Sequence, residues 1–292
     1  MKVAVTGASG FLGNEVIRLL LQDEDCTIVA FTSQKVRLES THHSRRLLVY
    51  DRNDFKDKQF QDVDVLLNCA FPRNTDGVQM AKGLKYIKEV FEEAVKCKVR
   101  EVINISSQSV YSQNKDYPAS EDSELSLDSA YAVGKYASEL LTNSICADIK
   151  HTNIRLASLI GPEFDQRVVN KMIDAALKNR QIVFLGGVQK FGFMDITDAA
   201  QAIVAVIKNY DVEIADVYNI GIVGGYSLEK LAECIKERLI SKGIEISTEK
   251  SLKESYHNSE IDNSKYCQKF GSINITPIAC TIDRIIDNKI IG

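Results

Sequence analysis

The sequence has no long hydrophobic run and no excess of positive charge. None of its apolar stretches approaches the ~20 residues that a membrane-spanning helix requires, and the chain enters a predicted strand at once instead of a leader segment. Its 36 basic residues are outnumbered by 40 acidic ones, so no broad positive field is available for a phosphate polymer. These absences predict a cytoplasmic protein with neither a membrane nor a nucleic acid as its partner.

Patterns that form disulfides or hold metals are missing as well. The seven cysteines are odd in number and widely spread, with no Cys-x-x-Cys spacing, so we expect reduced thiols. Among the four histidines only His42 and His43 are adjacent. The sequence therefore predicts no metal site.

Apolar runs typical of strands alternate with helical patterns through the first half of the chain. Near-continuous apolar strands separated by helices predict an α/β fold with a parallel sheet covered on both faces. We expect a doubly wound parallel sheet that binds a dinucleotide over residues 1–162, and a smaller C-terminal α/β lobe that binds substrate over residues 163–292. Segments near residues 193–222 are expected to return to the first domain, because no linker separates the two halves.

A glycine-rich stretch, TGASGFLG, follows the first predicted strand and opens a helical pattern. Gly7 ends the strand in a tight turn, Gly10 lets a ligand approach the backbone, and Gly13 lets the helix pack closely on the sheet. The helix N-terminus supplies free N–H groups and a positive dipole end for a pyrophosphate. In this context the stretch predicts a site for NAD or NADP. Further contacts are expected from Ser9, Phe11 and Leu12.

The end of the second predicted strand bears on which dinucleotide binds. An Asp or Glu there would hold the ribose hydroxyls of NAD. Instead, Thr32 or Ser33 occupies that place, and Lys35 and Arg37 follow. The two basic residues favour the 2′-phosphate of NADP, and the alternative is that both are merely solvated.

A second site is predicted where a tyrosine and a lysine stand four residues apart. Tyr131 and Lys135 share one face of a predicted helix, and a cation beside a phenol stabilises the phenolate and lowers its pKa. Ser106 and Ser107 end a predicted parallel strand, at the edge where α/β sheets bind ligands. Together these residues favour proton exchange with a sugar-type hydroxyl.

These motifs resemble those of a known family. TGASGFLG, INISSQSVY and YAVGK stand in the order and at the separations of the extended short-chain dehydrogenase/reductase family of nucleotide-sugar epimerases, dehydratases and reductases. The resemblance continues through IRLASLIGP and FMDITDAAQAI and covers almost the whole chain. It implies a Rossmann-type fold, a nucleotide sugar as the small-molecule substrate, and a homodimer through paired helices.

The resemblance also implies roles for individual residues. Tyr131 would be the acid/base, and Lys135 would hold the nicotinamide ribose while lowering the pKa of the tyrosine. Ser107 would hydrogen-bond the reacting oxygen. The remaining cofactor contacts implied in this way are those of Asp51, Arg52 and Ala70.

Departures from the family pattern reduce the number of reactions that this chain could catalyse. Relatives that eliminate water carry an Asp-Glu pair after the Ser/Thr of the catalytic strand, where this chain has Gln108 and Ser109. Neither residue can do that proton work, so we do not expect a 4,6-dehydratase.

The substrate side departs further. Ser158 stands where many relatives have an asparagine, and Phe191 stands where they have an arginine that contacts phosphate. Arg167 or Lys190 could compensate, although either could equally be a surface charge. An unusual nucleotide sugar, or a substrate of another class, would fit these changes.

Three functions remain open from the sequence. The first is an NAD(P)-dependent nucleotide-sugar epimerase, and the second is an NADPH-dependent ketoreductase of a keto sugar or another carbonyl compound. The third is a non-catalytic dinucleotide sensor, which the intact set of Ser107, Tyr131 and Lys135 argues against, because binding alone requires no proton donor.

Overall fold

The computed structural model describes residues 1–72, 76–165, 167–210 and 212–291. The strands in these residues are β1 (Lys2–Thr6), β2 (Thr27–Thr32), β3 (Leu47–Asp51), β4 (Val65–Asn68), β5 (Glu101–Ser107), β6 (Lys150–Leu156), β7 (Ser158–Ile160), β8 (Gln181–Gly186), β9 (Gln189–Lys190), β10 (Phe193–Asp195), β11 (Val217–Ile220), β12 (Ser247–Glu254) and β13 (His257–Asn258). Seven of them, all parallel, form the main sheet with the strand order β11-β6-β5-β4-β1-β2-β3.

Helices connect the strands and cover the sheet. They are α1 (Phe11–Leu20), α2 (Lys35–Thr41), α3 (Asp57–Phe60), α4 (Gly77–Lys96), α5 (Ala130–Ile145), α6 (Val168–Asn179), α7 (Ile196–Lys208), α8 (Leu228–Ser241), α9 (Ser264–Phe270) and α10 (Ile278–Ile291). The α/β class and the parallel sheet predicted from the alternating pattern are thereby confirmed.

Each central strand supplies apolar side chains to both faces of the sheet. In β1, Val3 and Val5 belong to the core beneath α1 and α7, whereas Ala4 between them belongs to the core beneath α4. Successive side chains of a strand point to opposite faces, so an unbroken apolar run is what a doubly covered strand requires.

A ladder of polar side chains runs through the buried centre of the sheet. Thr6 Oγ1 donates to Asn68 Oδ1 at 2.6 Å, and Asn68 Nδ2 donates to Asn104 Oδ1 at 2.9 Å. Asn104 Nδ2 donates in turn to Asn153 Oδ1 at 2.9 Å and to Ser138 Oγ of α5 at 3.2 Å. The first four residues lie opposite one another on β1, β4, β5 and β6. The ladder ties four strands and α5 together below the carboxyl edge of the sheet.

The second half of the chain forms a separate core and also returns to the main sheet. Strand β11 pairs with β6 at the edge of that sheet, and α7 packs on α1. The apolar faces of α6, α8 and α10 pack together with β8 in a second cluster. The two-stranded pairs β10-β7, β12-β8 and β13-β9 complete this part. The boundary at residue 162 stays a prediction.

Two local features are not evident from the sequence pattern. The run HTNIRLASLI, unbroken in the sequence, divides at Ala157 into β6, which stays in the main sheet, and β7, which leaves it to pair with β10. Residues 35–41 form α2, where no helix was expected. Only Leu38 is buried in α2, so the segment lacks the apolar stripe that identifies a helix in a sequence.

Lys115 is a buried cation that ties the loop after β5 to the C-terminal segment. Its Nζ donates to the carbonyl oxygens of Asn258 at 2.8 Å and Glu260 at 3.1 Å. Burial lowers the pKa of Lys115 to about 8. A lysine in an unfolded chain titrates near ~10.4, so between these two values the unfolded state binds the extra proton and stability rises with pH.

We therefore expect wild type to gain stability relative to Lys115→Met as the pH rises from about 8 to ~10. Urea unfolding of both proteins at each pH measures this difference in the free energy of unfolding. The exposed Lys253, changed to Met, is the matched control, and its difference from wild type should stay flat. A flat difference for Lys115→Met would contradict the assignment.

Candidate active site

A cleft of about 490 Å³ opens at the carboxyl edge of the main sheet. It is lined by the segments that follow β1, β2, β4 and β5, and by residues at the ends of β6 and in β7. The order of strands reverses between β1 and β4, and α/β sheets bind ligands outside the carboxyl ends at such a point. The cleft is therefore the candidate site.

The glycine loop forms the floor of the cleft beneath the N-terminus of α1. Gly7 has a φ of +66°, and a Cβ there would stand 2.8 Å from the backbone nitrogen of Ala70. A Cβ on Gly13 would stand 2.6 Å from the carbonyl oxygen of Gly7. Gly10 is the N-cap, and no acidic residue lies in the first turn of α1. The loop thus presents open backbone N–H groups to an anion.

Helix α5 presents Tyr131 and Lys135 to the cleft. The side chain of Ser129 accepts a hydrogen bond from Ala132 N at 3.1 Å and so caps the helix. Lys135 Nζ donates to the carbonyl oxygen of Ile105 at 2.7 Å and lies 4.1 Å from the ring centroid of Phe71. The Tyr131 ring meets Phe71 edge-on, with 5.5 Å between centroids. Contact with Phe71 holds both side chains, and the hydrogen bond to Ile105 also fixes the ammonium group of Lys135.

Ser107, at the end of β5, lies beside Tyr131. Its hydroxyl is close enough to act on the pKa of the Tyr131 phenol. Ser107 Oγ also accepts from Ser109 N at 3.2 Å and from Ser109 Oγ at 3.0 Å. The three residues singled out in the sequence, Ser107, Tyr131 and Lys135, therefore meet on one wall of the cleft.

The electrostatics of this wall differ from the expectation that Lys135 would lower the pKa of Tyr131. Burial raises the pKa of Tyr131, although the charge of Arg167 and the nearby Ser107 hydroxyl act to lower it. Burial lowers the pKa of Lys135 to about 8. In the protein alone, desolvation outweighs the nearby cations, so the phenol is the favoured form of Tyr131.

Arg167 is a half-buried cation at the N-cap of α6. Its guanidinium lies 5.3 Å from the ring centroid of Phe164, which stacks on Phe11 of the glycine loop with 4.6 Å between centroids. Arg167 Nε is buried and has no hydrogen-bond partner among the described residues. Burial lowers its pKa. An unused guanidinium donor that lines a cleft suits an anionic group of a ligand.

The opposite end of the cleft is built from β2, β3 and α4. The guanidinium of Arg52 lies 4.7 Å from the ring centroid of Tyr86, and the buried Tyr86 hydroxyl has no hydrogen-bond partner among the described residues. Thr32 Oγ1 lies 2.5 Å from Ser9 Oγ and accepts from Gln34 N at 2.9 Å. The orphaned hydroxyl and the open glycine loop fit a dinucleotide laid along this edge.

Most residues singled out in the sequence lie at the cleft. Those that line it are Gly7, Ser9, Gly10, Phe11, Leu12, Gly13, Thr32, Ser33, Arg52, Ala70, Ser106, Ser107, Tyr131, Lys135 and Arg167. Further lining residues that the sequence did not identify are Phe31, Cys69, Phe71, Pro72, Gln79, Lys82, Gly83, Tyr86, Ile105, Leu156, Ala157, Leu159 and Phe164. Helix α4 supplies several of these residues. Its position over the cleft depends on tertiary packing, which local sequence patterns do not predict.

Two basic residues expected near the cofactor lie outside the cleft. Lys35 and Arg37 belong to α2, where Lys35 lies 3.9 Å from Glu39 and Arg37 lies 3.6 Å from Glu163. All four side chains are at least half exposed. This is a correction to their expected place beside the ribose, and its cause is the unexpected helix.

Three other candidates also do not line the cleft. Ser158 lies between Ala157 and Leu159, which do, because alternate side chains of an extended segment face opposite ways. Asp51 is exposed, and its Oδ1 accepts from Asn53 N at 3.1 Å. Lys190 is exposed on β9.

Acidic groups and metal-binding clusters are absent from the described part of the site. No aspartate or glutamate is among the described residues that line the cleft. Within residues 1–72, 76–165, 167–210 and 212–291, no group of three or more His, Cys, Asp or Glu side chains could hold a metal ion. The same ranges contain no helix that is long and apolar enough to cross a membrane.

Comparisons with known proteins agree with this geometry. The profile of the NAD dependent epimerase/dehydratase family matches residues 3–221. The chain is 25% identical to the low-salt glycan biosynthesis protein Agl12 of Haloferax volcanii, over 76% of this chain and 77% of that protein. It is 25% identical to UDP-glucuronic acid decarboxylase 6 of Arabidopsis thaliana, over 93% of this chain and 83% of that protein.

A solved structure shows the same fold. The UDP-glucuronic acid 4-epimerase of Bacillus cereus, in complex with UDP-glucuronic acid and NAD, superposes with a TM-score of 0.83. The alignment covers 100% of both chains at 23% identity. At that identity the likeness establishes the fold and leaves the reaction to the chemistry of the site.

Proposed function

Since this chain belongs to the NAD-dependent epimerase/dehydratase family, we propose that it is a nucleotide-sugar epimerase that acts at a sugar carbinol through a transient ketone. The observation that carries the proposal is the meeting of Ser107, Tyr131 and Lys135 beside the glycine loop in one cleft. The UDP-glucuronic acid bound by the Bacillus cereus epimerase supports a nucleotide sugar as the class of substrate.

Tyr131, Ser107 and Lys135 would each have a separate role in the proton transfer. Tyr131 Oη takes the proton of the substrate hydroxyl and later returns it to the ketone oxygen, while Ser107 Oγ holds that oxygen in place. Lys135 would hold the nicotinamide ribose, and its charge would stabilise the tyrosinate once the site is filled. Bound NAD or NADP supplies the hydride acceptor and donor.

The lack of carboxylates favours this reaction over loss of water. Elimination needs an additional acid and base beside the sugar, whereas Gln108 is buried and no acidic side chain is among the described residues that line the cleft. Epimerisation through a ketone needs only the Tyr131 proton and access of the hydride to both faces of the carbonyl. The unpaired donor of Arg167 would contact an anionic group of the substrate.

A ketoreductase is the second candidate. The observation in its favour is Thr32, which stands where an acid would hold the ribose of NAD. A reductase would consume NADPH in step with product, whereas an epimerase would recycle its dinucleotide without net change.

The first test is the identity and retention of the dinucleotide. We expect purified protein, once denatured, to release a tightly held NAD or NADP, and the refilled protein to interconvert UDP-sugars with no net change in nicotinamide absorbance. Weakly held cofactor and stoichiometric oxidation of NADPH by keto sugars would favour the reductase instead. Failure to bind either dinucleotide would overturn both candidates.

A further inference from the structure

Strands β2 and β3 lead to two polar residues, Ser33 and Arg52, at the end of the cleft that is built from β2, β3 and α4. Thr32 lies opposite Asp51 in the parallel pairing of the two strands. Ser33 and Arg52 directly follow the last residues of β2 and β3, and both line the cleft. Neighbouring strands lie about 4.8 Å apart, so the Arg52 side chain starts beside Ser33. In dinucleotide-binding sheets this edge holds the adenosine ribose.

The side chains that line this end of the cleft carry net positive charge, while the exposed Asp51 carboxylate outside the lining also acts on Tyr86. Arg52 makes no ion pair with a carboxylate in the part of the chain that the structure describes, and its guanidinium lies over the Tyr86 ring. Lys82 lines the same cleft one helical turn before Tyr86 on α4. No acidic residue among the described lining side chains offsets these cations. Thr32, at the usual place of the acid, already shares its hydroxyl with Ser9 and Gln34.

We infer that Arg52, with Ser33 beside it, forms a site for the 2′-phosphate of NADP, and that Lys82 adds to its positive field. The inference rests on the dinucleotide binding of the proposed function and specifies the residues that choose the cofactor. A planar guanidinium can donate two parallel hydrogen bonds to a phosphate, and the Ser33 hydroxyl can add a third. Arg52 would thus distinguish NADP from NAD, a role that the sequence suggested for Lys35 and Arg37.

Adenosine fragments isolate this end of the site from the chemistry at Tyr131. We expect dinucleotide-free protein to bind 2′,5′-ADP at least about tenfold more tightly than 5′-ADP in isothermal titration calorimetry. In Arg52→Gln the affinity for 2′,5′-ADP should fall by about 10- to 100-fold, while that for 5′-ADP changes by less than about twofold. Arg52→Lys should retain part of the preference.

Lys35→Gln is the matched control, because it removes a basic residue that lies shortly after β2 but outside the cleft. It should leave both affinities unchanged. Equal affinity of wild type for the two fragments would overturn the inference, and so would equal weakening of both by Arg52→Gln, which would mean that Arg52 packs on the adenine. A protein that passes this test and yet interconverts no sugar would overturn the proposed function alone.

Discussion

Tyr131→Phe is expected to lower kcat by about 10²- to 10⁴-fold while leaving dinucleotide affinity within a few-fold of wild type. The substitution removes only the hydroxyl that moves the proton. The ring that meets Phe71 edge-on is kept, so the packing beneath Lys135 should survive. Steady-state turnover and a parallel dinucleotide titration measure the two effects.

Tyr136→Phe is the matched control for this experiment. Tyr136 lies on the same helix, is half-buried against the main core, and does not line the cleft. Its loss of a hydroxyl should leave kcat near the wild-type value. If Tyr131→Phe turned over substrate as fast as Tyr136→Phe, the acid/base assignment would be wrong.

Glu139→Gln is expected to destabilise the protein by about 3–5 kcal/mol, the cost of leaving a buried charge without its partner. Glu139 and Arg155 are joined by three charge-assisted hydrogen bonds, one from Arg155 Nη2 at 2.8 Å and two from Nε at 3.1 and 3.3 Å. Both side chains are less than a tenth exposed. Arg155 Nη1 also donates to the Tyr111 hydroxyl at 2.9 Å, and Ser106 Oγ donates to Glu139. The change would therefore reach from α5 to β5 and β6.

Urea unfolding measures this loss, and two further variants define it. Glu92→Gln breaks an exposed pair with Lys88 on α4 and should cost no more than about 0.5 kcal/mol. Combining Glu139→Leu with Arg155→Met should cost less than Glu139→Gln alone, because no buried charge is then left unpaired. A loss below about 1 kcal/mol for Glu139→Gln would show that the pair is not isolated from water as its burial implies.

The features that the sequence predicts well are those recorded in local patterns. The apolar strands and the glycine loop follow from periodicity and from backbone geometry that favours glycine. Ser107, Tyr131 and Lys135 could be placed together because parallel strands end at one edge and residues four apart share a helix face.

The rest of the site depends on long-range packing. Stacking of Phe164 on Phe11 joins the segment before α6 to the glycine loop, across more than half of the chain, and brings Arg167 to the cleft. Tyr86 and Lys82 reach it only because α4 shares a core with β1, β2, β4 and β5. Lys35 and Arg37 were misplaced for the opposite reason: a short helix with a single buried residue leaves almost no signature in the sequence.

The amide ladder in the main sheet has a consequence for how this protein can change over evolutionary time. Every donor in it points the same way, from Thr6 through Asn68 and Asn104 to Asn153, whose amide donates to Asn143 at 2.8 Å. An apolar replacement at Asn68 or Asn104 would strand a donor on one side and an acceptor on the other, both buried. A stable apolar version therefore requires several coupled substitutions, whose separate costs do not add. Selection should therefore remove single substitutions at these positions. Descendants of this chain should keep all of the ladder residues or replace them together.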